Sequence, residues 1–285
     1  MAINTLLRAM IIYMLVYSTA FAEIRQSTQL CEVLEEVKKS SNDTLVIFDV
    51  DFTLIQPRDY IFSHHAELDF ENFNTVLKSK YNNEEVDDLL SLVWQHAQGK
   101  TVEENTLDTL RTIYAHCPNV LFLTAMDGGK YGVFPRLEDW RIEELTGYGF
   151  TLNLTLPDVS REELTQYLDE VTDQHAPLCK NGILLSSSLE KGRVLQAYLR
   201  HIGHKPRKII FVDDLHRNIA SVAKYCAEHD IEYVGFEYMA WKHWTAPHGP
   251  NPQRAQLQLE VLEKEKIWLS DAEAEHRLAN LQPQT

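Results

Sequence analysis

Three short apolar runs frame this chain: residues 45–48 (Leu-Val-Ile-Phe), 120–123 (Val-Leu-Phe-Leu) and 209–212 (Ile-Ile-Phe-Val). Continuous apolar runs of this length, bounded by polar residues, predict strands buried on both faces, as in a parallel sheet. Helical spacing fills the intervals. Leu30, Val33, Leu34 and Val37 share one face of a helix expected over 27–39, and further helices are expected over 191–202 and 216–229. Shorter strands are expected over 182–185 and 233–236. Strand and helix alternation of this kind predicts an α/β core around a parallel sheet.

Two insertions interrupt the alternation. Residues 57–115 separate the first two runs by more than a crossover needs. They carry three helical patterns: Leu68, Phe70, Phe73 and Val76; then Val86, Leu89, Leu90, Leu92 and Val93; then Leu107, Leu110 and Ile113. A helical cap after the first core strand is expected there. The second insertion, 127–188, opens on the turn Asp127-Gly128-Gly129. It holds an expected helix over 137–146 and another over 160–171, capped by Ser160 with Glu162 and Glu163 in its first turn. The core is then 23–56 plus 116–253. Residues 254–285 form an extension whose Gln-, Glu- and Leu-rich stretch, 254–280, is expected to be one helix.

The N-terminus stands apart. Arg8 precedes an apolar stretch, 9–17, shorter than the roughly 20 residues that span a bilayer, and Ala20-Phe21-Ala22 supplies a small-x-small site before Glu23. This pattern predicts a signal peptide over 1–22 and an exported, periplasmic or secreted, chain with no span after cleavage. Composition adds limits. Among 285 residues the net charge is −15, which gives no electrostatic footprint for nucleic acid. Cys31, Cys117, Cys179 and Cys226 lack C-x-x-C spacing, so zinc is not expected and no disulfide pairing is assigned. Oligomeric state is left open.

The chemistry lies where the apolar runs stop. The first exits into Asp49-Val50-Asp51-Phe52-Thr53, the second into Thr124, the third into Asp213-Asp214. Ligands of open α/β sheets bind outside the carboxyl ends of the strands. Paired carboxylates at such an exit repel each other. They make sense around a divalent cation, or as a nucleophile beside a proton donor. Lys191, at the start of a helical segment one βα unit before the acidic pair, adds a cation.

Asp-x-Asp-x-Thr after a strand, then strand-Thr, Lys and strand-Asp-Asp, in that order, resembles the four-motif signature of the haloacid dehalogenase-like (HAD) hydrolase superfamily. The resemblance spans roughly residues 40–240. It implies a Rossmann-like HAD core with inserted caps, and a Mg²⁺-dependent phosphatase that acts on a small phosphorylated substrate. By that resemblance Asp49 is the nucleophile and Asp51 the general acid–base. Thr124 and Lys191 hold the phosphoryl oxygens. Asp49, the Asp51 main-chain carbonyl, Asp213 and Asp214 serve Mg²⁺. Two other readings are compatible with the scaffold: phosphotransfer to an alcohol acceptor, and a secreted binding or effector protein acting on a host partner.

Other polar clusters carry less. His64-His65 and His201/His204 have no carboxylates at metal-ligand spacing. The loop over 241–252, with Trp241, His243, Trp244 and His248, either borders the site or packs beneath the C-terminal helix.

Overall fold

The computed structural model describes residues 22–63, 66, 73–169, 176–187, 189–243 and 248–281. The expected signal peptide apart from Ala22, together with His64, His65, Leu68, Phe70, Val171, Ser188 and Trp244, lies outside them. The described strands are β1 (Ala22–Ser27), β2 (Thr44–Phe48), β3 (Ile55–Pro57), β4 (Gly99–Thr101), β5 (Val120–Thr124), β6 (Leu178–Lys180), β7 (Ile183–Leu185), β8 (Lys208–Asp213) and β9 (Glu232–Tyr238).

Seven of them form one sheet in the order β1-β9-β8-β2-β5-β7-β6, parallel except where β6 runs against β7. The protein is therefore α/β with a mostly parallel central sheet. The three apolar runs are its middle: β2 pairs with β5 on one side and β8 on the other. All five residues of β2 are buried, as a strand covered on both faces requires.

Alternate residues feed two apolar layers. Val46 and Phe48 join Leu30, Val33 and Ile113 on one face, whereas Leu45 and Ile47 join Leu195, Tyr198 and Val222 on the other. The helices Leu30–Val37 and Thr106–His116 cover the first face; Lys191–His201 and His216–Glu228 cover the second. From β2 the chain builds outward through β5 and β7, then returns to the opposite side of β2 with β8 and β9. The strand order reverses at β2, so its carboxyl end is the crevice where such sheets take ligands.

A third apolar cluster sits above that edge: Phe73, Leu77, Val86, Leu89, Leu90, Val93, Tyr131, Phe134, Leu137, Leu262 and Trp268. It corrects two expectations. The helix Thr106–His116, expected within the cap, places Leu110 and Ile113 in the sheet layer beside Val33, because the same apolar period serves a crossover helix equally well. The C-terminal stretch is two helices, Pro252–Glu265 and Asp271–Leu281, parted at Lys266, whose φ of 60° is left-handed.

That helical pair belongs to the cap. Leu262 and Trp268 fill its core. Trp268 Nε1 donates to Asp59 Oδ2 at 2.8 Å, and the Asp271 amide donates to Asp59 Oδ1 at 2.9 Å. β1 is a further strand that the apolar pattern does not reveal: it is a polar edge strand, with Arg25 bonded to Glu23 and Glu36. Ser160 caps its helix through the Glu163 amide, as expected, but the helix is short, Arg161–Thr165. The four cysteines are free thiols; Cys117, Cys179 and Cys226 are buried. Among the described residues no helix is long and apolar enough to cross a membrane.

Candidate active site

The chain turns sharply at the end of β2. The Asp49 amide continues the ladder, donating to Val212 O at 2.8 Å. Val50 O then accepts from the amides of Leu54 and Ile55, at 2.8 and 3.1 Å. Closing this turn puts Phe52 at φ 61°, a left-handed conformation uncommon outside glycine. Asp49 and Asp51 thus leave the sheet at one edge, the first buried and the second with its side chain 48 % exposed.

Lys191 opens its helix beneath them. Its place is set by the next residue, Gly192, whose added Cβ would lie 2.2 Å from Ser221 O, so the helices Lys191–His201 and His216–Glu228 touch backbone to backbone here. The Lys191 ammonium, 2 % exposed, donates to Asp49 Oδ1 at 2.5 Å and to Asp213 Oδ2 at 2.7 Å. Asp213 also accepts from the Leu215 amide at 2.9 Å and from Asn218 Nδ2 at 2.9 and 3.1 Å. Thr124, the last residue of β5, is buried beside them; its hydroxyl accepts from the Met126 amide at 3.3 Å.

Charge is unbalanced in this cluster. Asp49, Asp213 and Asp214 can bring one carboxylate oxygen each within 4.8 Å of one another, and a single ammonium bridges two of them. Burial, reinforced by Asp213 and Asp214, pushes Asp49 well above the usual carboxylate range despite Lys191. Burial raises Asp213 as well. For Lys191, burial favours the neutral amine, but Asp49 and Asp213 outweigh it and hold the group above its ordinary value. Three hard oxygen donors with surplus negative charge are a donor set that fits a small divalent cation.

Asp51 faces a different partner. Arg141 Nη2 donates to both of its oxygens at 3.1 Å. The same guanidinium, 4 % exposed, donates from Nη1 to Glu144 Oε2 at 2.6 Å and lies over the Trp140 ring at 5.2 Å. Burial drives Arg141 toward its neutral form, yet Asp51 and Glu144 prevail and hold it above its usual value. Burial pushes Glu144 up to about 7, Arg141 opposing and Asp51 reinforcing.

Asp49, Asp51, Thr124, Lys191 and Asp214 all line one cavity of about 650 Å³ between the sheet edge and the cap; Asp213 lies beneath it, behind Lys191. The six expected residues are therefore brought together. Arg141, Glu144 and Asn218 also line the cavity and were not expected from sequence. A signal existed for Arg141: the buried stripe of the helix Leu137–Gly147 is Leu137, Glu138, Arg141 and Leu145, a face that should be apolar throughout. Trp241, His243 and His248 do not line the cavity. His201 approaches Glu163 at 3.8 Å, away from it.

The names of related proteins give no activity. A protein of Rickettsia prowazekii (strain Madrid E), named only as uncharacterized, is 26 % identical over 230 residues, covering 80 % of this chain and 81 % of its own. A protein of Chlamydia trachomatis, provisionally named an outer membrane protein, is 30 % identical over 100 residues, 34 % of this chain and 37 % of its own. One of Chlamydia pneumoniae with a similar name is 34 % identical over 77 residues, 25 % of this chain and 29 % of its own. No solved structure matches the chain with significance. The match over residues 26–275, which takes in β2 to β9 and the whole candidate site, shows that the chain belongs to the family described as "Protein of unknown function (DUF2608)".

Proposed function

We propose that the protein is an exported, divalent-cation-dependent phosphomonoester hydrolase of HAD type, with Asp49 as its nucleophile. The observation that carries this reading is the buried Asp49–Lys191–Asp213 bridge at the strand-order reversal, with Asp214 and Thr124 beside it. Asp49, Asp213 and Asp214, with the Asp51 carbonyl, would hold Mg²⁺, which would neutralise their surplus charge and that of the phosphoryl group.

The protein residues supply the rest. An Asp49 carboxylate oxygen attacks phosphorus, and the bond from phosphorus to the ester oxygen breaks as an acyl phosphate forms. The leaving alkoxide takes its proton from Asp51. Asp51 then takes a proton from water, whose oxygen attacks the same phosphorus and frees the Asp49 carboxylate and inorganic phosphate. Lys191 and the Thr124 hydroxyl bind the phosphoryl oxygens as negative charge moves among them. Arg141 orients Asp51 between the phosphoryl end and the cap.

Export draws support from the leader-like pattern before Glu23 and from the names of the chlamydial relatives. We place the protein in the periplasm or outside the cell. The test is hydrolysis of a generic aryl phosphate with Mg²⁺ and with excess EDTA. Turnover that EDTA abolishes and Mg²⁺ restores is expected; full activity in chelator contradicts the reading.

A further inference from the structure

A phosphoryl group held at Asp49, Thr124 and Lys191 would fill a small part of the 650 Å³ cavity. The remainder lies between the cap helix Asn83–His96 and the helix Leu137–Gly147, with Leu90, Val93 and Trp94 from the first and Trp140 from the second. Trp94 stacks against Tyr131 with ring centroids 4.8 Å apart and planes at 13°, and toward Trp140 at 6.0 Å and 20°. Near-parallel rings stacked from three chain segments give the cavity a stiff aromatic wall, against which an aromatic group can pack edge to face or offset.

Charge narrows the choice. Among the described lining residues the cations are Lys78, Arg141 and Lys191. Lys191 is held by Asp49 and Asp213, Arg141 by Asp51 and Glu144, and Lys78 is exposed on the helix Phe73–Lys80. A substrate with a second phosphate or carboxylate would find no uncommitted buried cation there. It would also meet Glu144 and Asp127.

Resting on the phosphatase reading, we propose that the substrates are phosphate monoesters of neutral alcohols bearing a flat aromatic group, seated against the Trp94–Tyr131–Trp140 wall. Rate comparison must keep leaving-group chemistry constant, so primary alkyl esters are compared: 2-(2-naphthyl)ethyl phosphate, ethyl phosphate and glucose 6-phosphate, with the whole protein and Mg²⁺. The naphthyl ester should exceed both others in kcat/KM by on the order of 10²-fold, the worth of burying one fused ring system. Equal values, or a preference for the sugar ester, overturn the proposal. Trp94→Ala should lower the naphthyl-to-ethyl ratio at least ~10-fold, a ratio that cancels general loss of active protein; an unchanged ratio counts against the wall.

A binding arm separates this proposal from the hydrolytic reading. Calorimetric titration with 2-(2-naphthyl)ethylphosphonate and ethylphosphonate, neither of which can be hydrolysed, should show the same preference. If no ester is turned over but the naphthyl phosphonate binds more tightly, hydrolysis is wrong and the aromatic pocket stands. Equal affinities overturn the pocket whatever the turnover.

Discussion

Arg141 holds Asp51 by both carboxylate oxygens, at 3.1 Å each, across a sequence separation of 90 residues. One end of the bridge belongs to the turn after β2, the other to a helix of the second insertion. A planar fork fixes a carboxylate's orientation in a way that a flexible ammonium does not. Arg141→Lys should therefore keep the charge and lose the alignment. We expect kcat/KM to fall by roughly 10²-fold, the cost of misplacing a reacting group by about 1 Å, with the far-UV circular dichroism preserved. Steady-state kinetics decide it; a lysine variant with wild-type kcat/KM would show that Arg141 does not position Asp51.

Glu144 gives the fold a pH dependence of definite sign. Its folded pKa, pushed up to about 7 chiefly by burial, lies above its value in the unfolded chain. Between those values the folded state binds a proton that the unfolded state releases. Stability from this group is therefore full in acid and declines as pH rises through about 7. Glu144→Gln removes the titration. In urea unfolding with EDTA, the stability of Glu144→Gln relative to wild type should rise between pH 5 and pH 8, by up to about 3 kcal/mol. A difference that stays constant across that range would refute the assignment.

The acidic cluster makes a prediction about stability without the cation. Asp49 is raised by burial and by Asp213 and Asp214, so its ionised form is a burden when no cation is bound. Asp49→Asn removes one charge and leaves Asp213 to pair with Lys191. Its melting temperature in EDTA should equal or exceed that of wild type, and the rise on adding Mg²⁺ should shrink. A variant that melts well below wild type in EDTA would mean that the Lys191 bridge outweighs the repulsion.

The strand exits were legible in the sequence because three apolar runs each stop at a polar residue, and the paired carboxylates at two of those exits repel each other unless something neutralises them. Lys191 was legible from order along the chain. Arg141 and Asn218 were not, because their roles depend on how two helices dock on the sheet edge. The C-terminal helices show the same limit. Trp268 meets Asp59 across 209 residues, and nothing local to either residue announces the contact. β1 escaped for the opposite reason: an edge strand with Glu23, Arg25 and Gln26 has no apolar run to betray it.

The role of Asp49 as nucleophile is open to one direct measurement. Asp51→Asn should slow the hydrolysis of alkyl phosphates by roughly 10²–10⁴-fold, the usual worth of general acid–base catalysis. With an aryl phosphate, whose leaving group needs no protonation, the first step should still proceed and the second should stall. Mixing this variant with an aryl phosphate and Mg²⁺, quenching in acid and sequencing the labelled peptide by mass spectrometry locates the phosphoryl group. One phosphoryl group is expected on Asp49, absent from the Asp49→Asn/Asp51→Asn double variant. Phosphate released by the wild-type protein, with no phosphoryl group trapped on Asp49 in the variant at any quench time, would contradict that role.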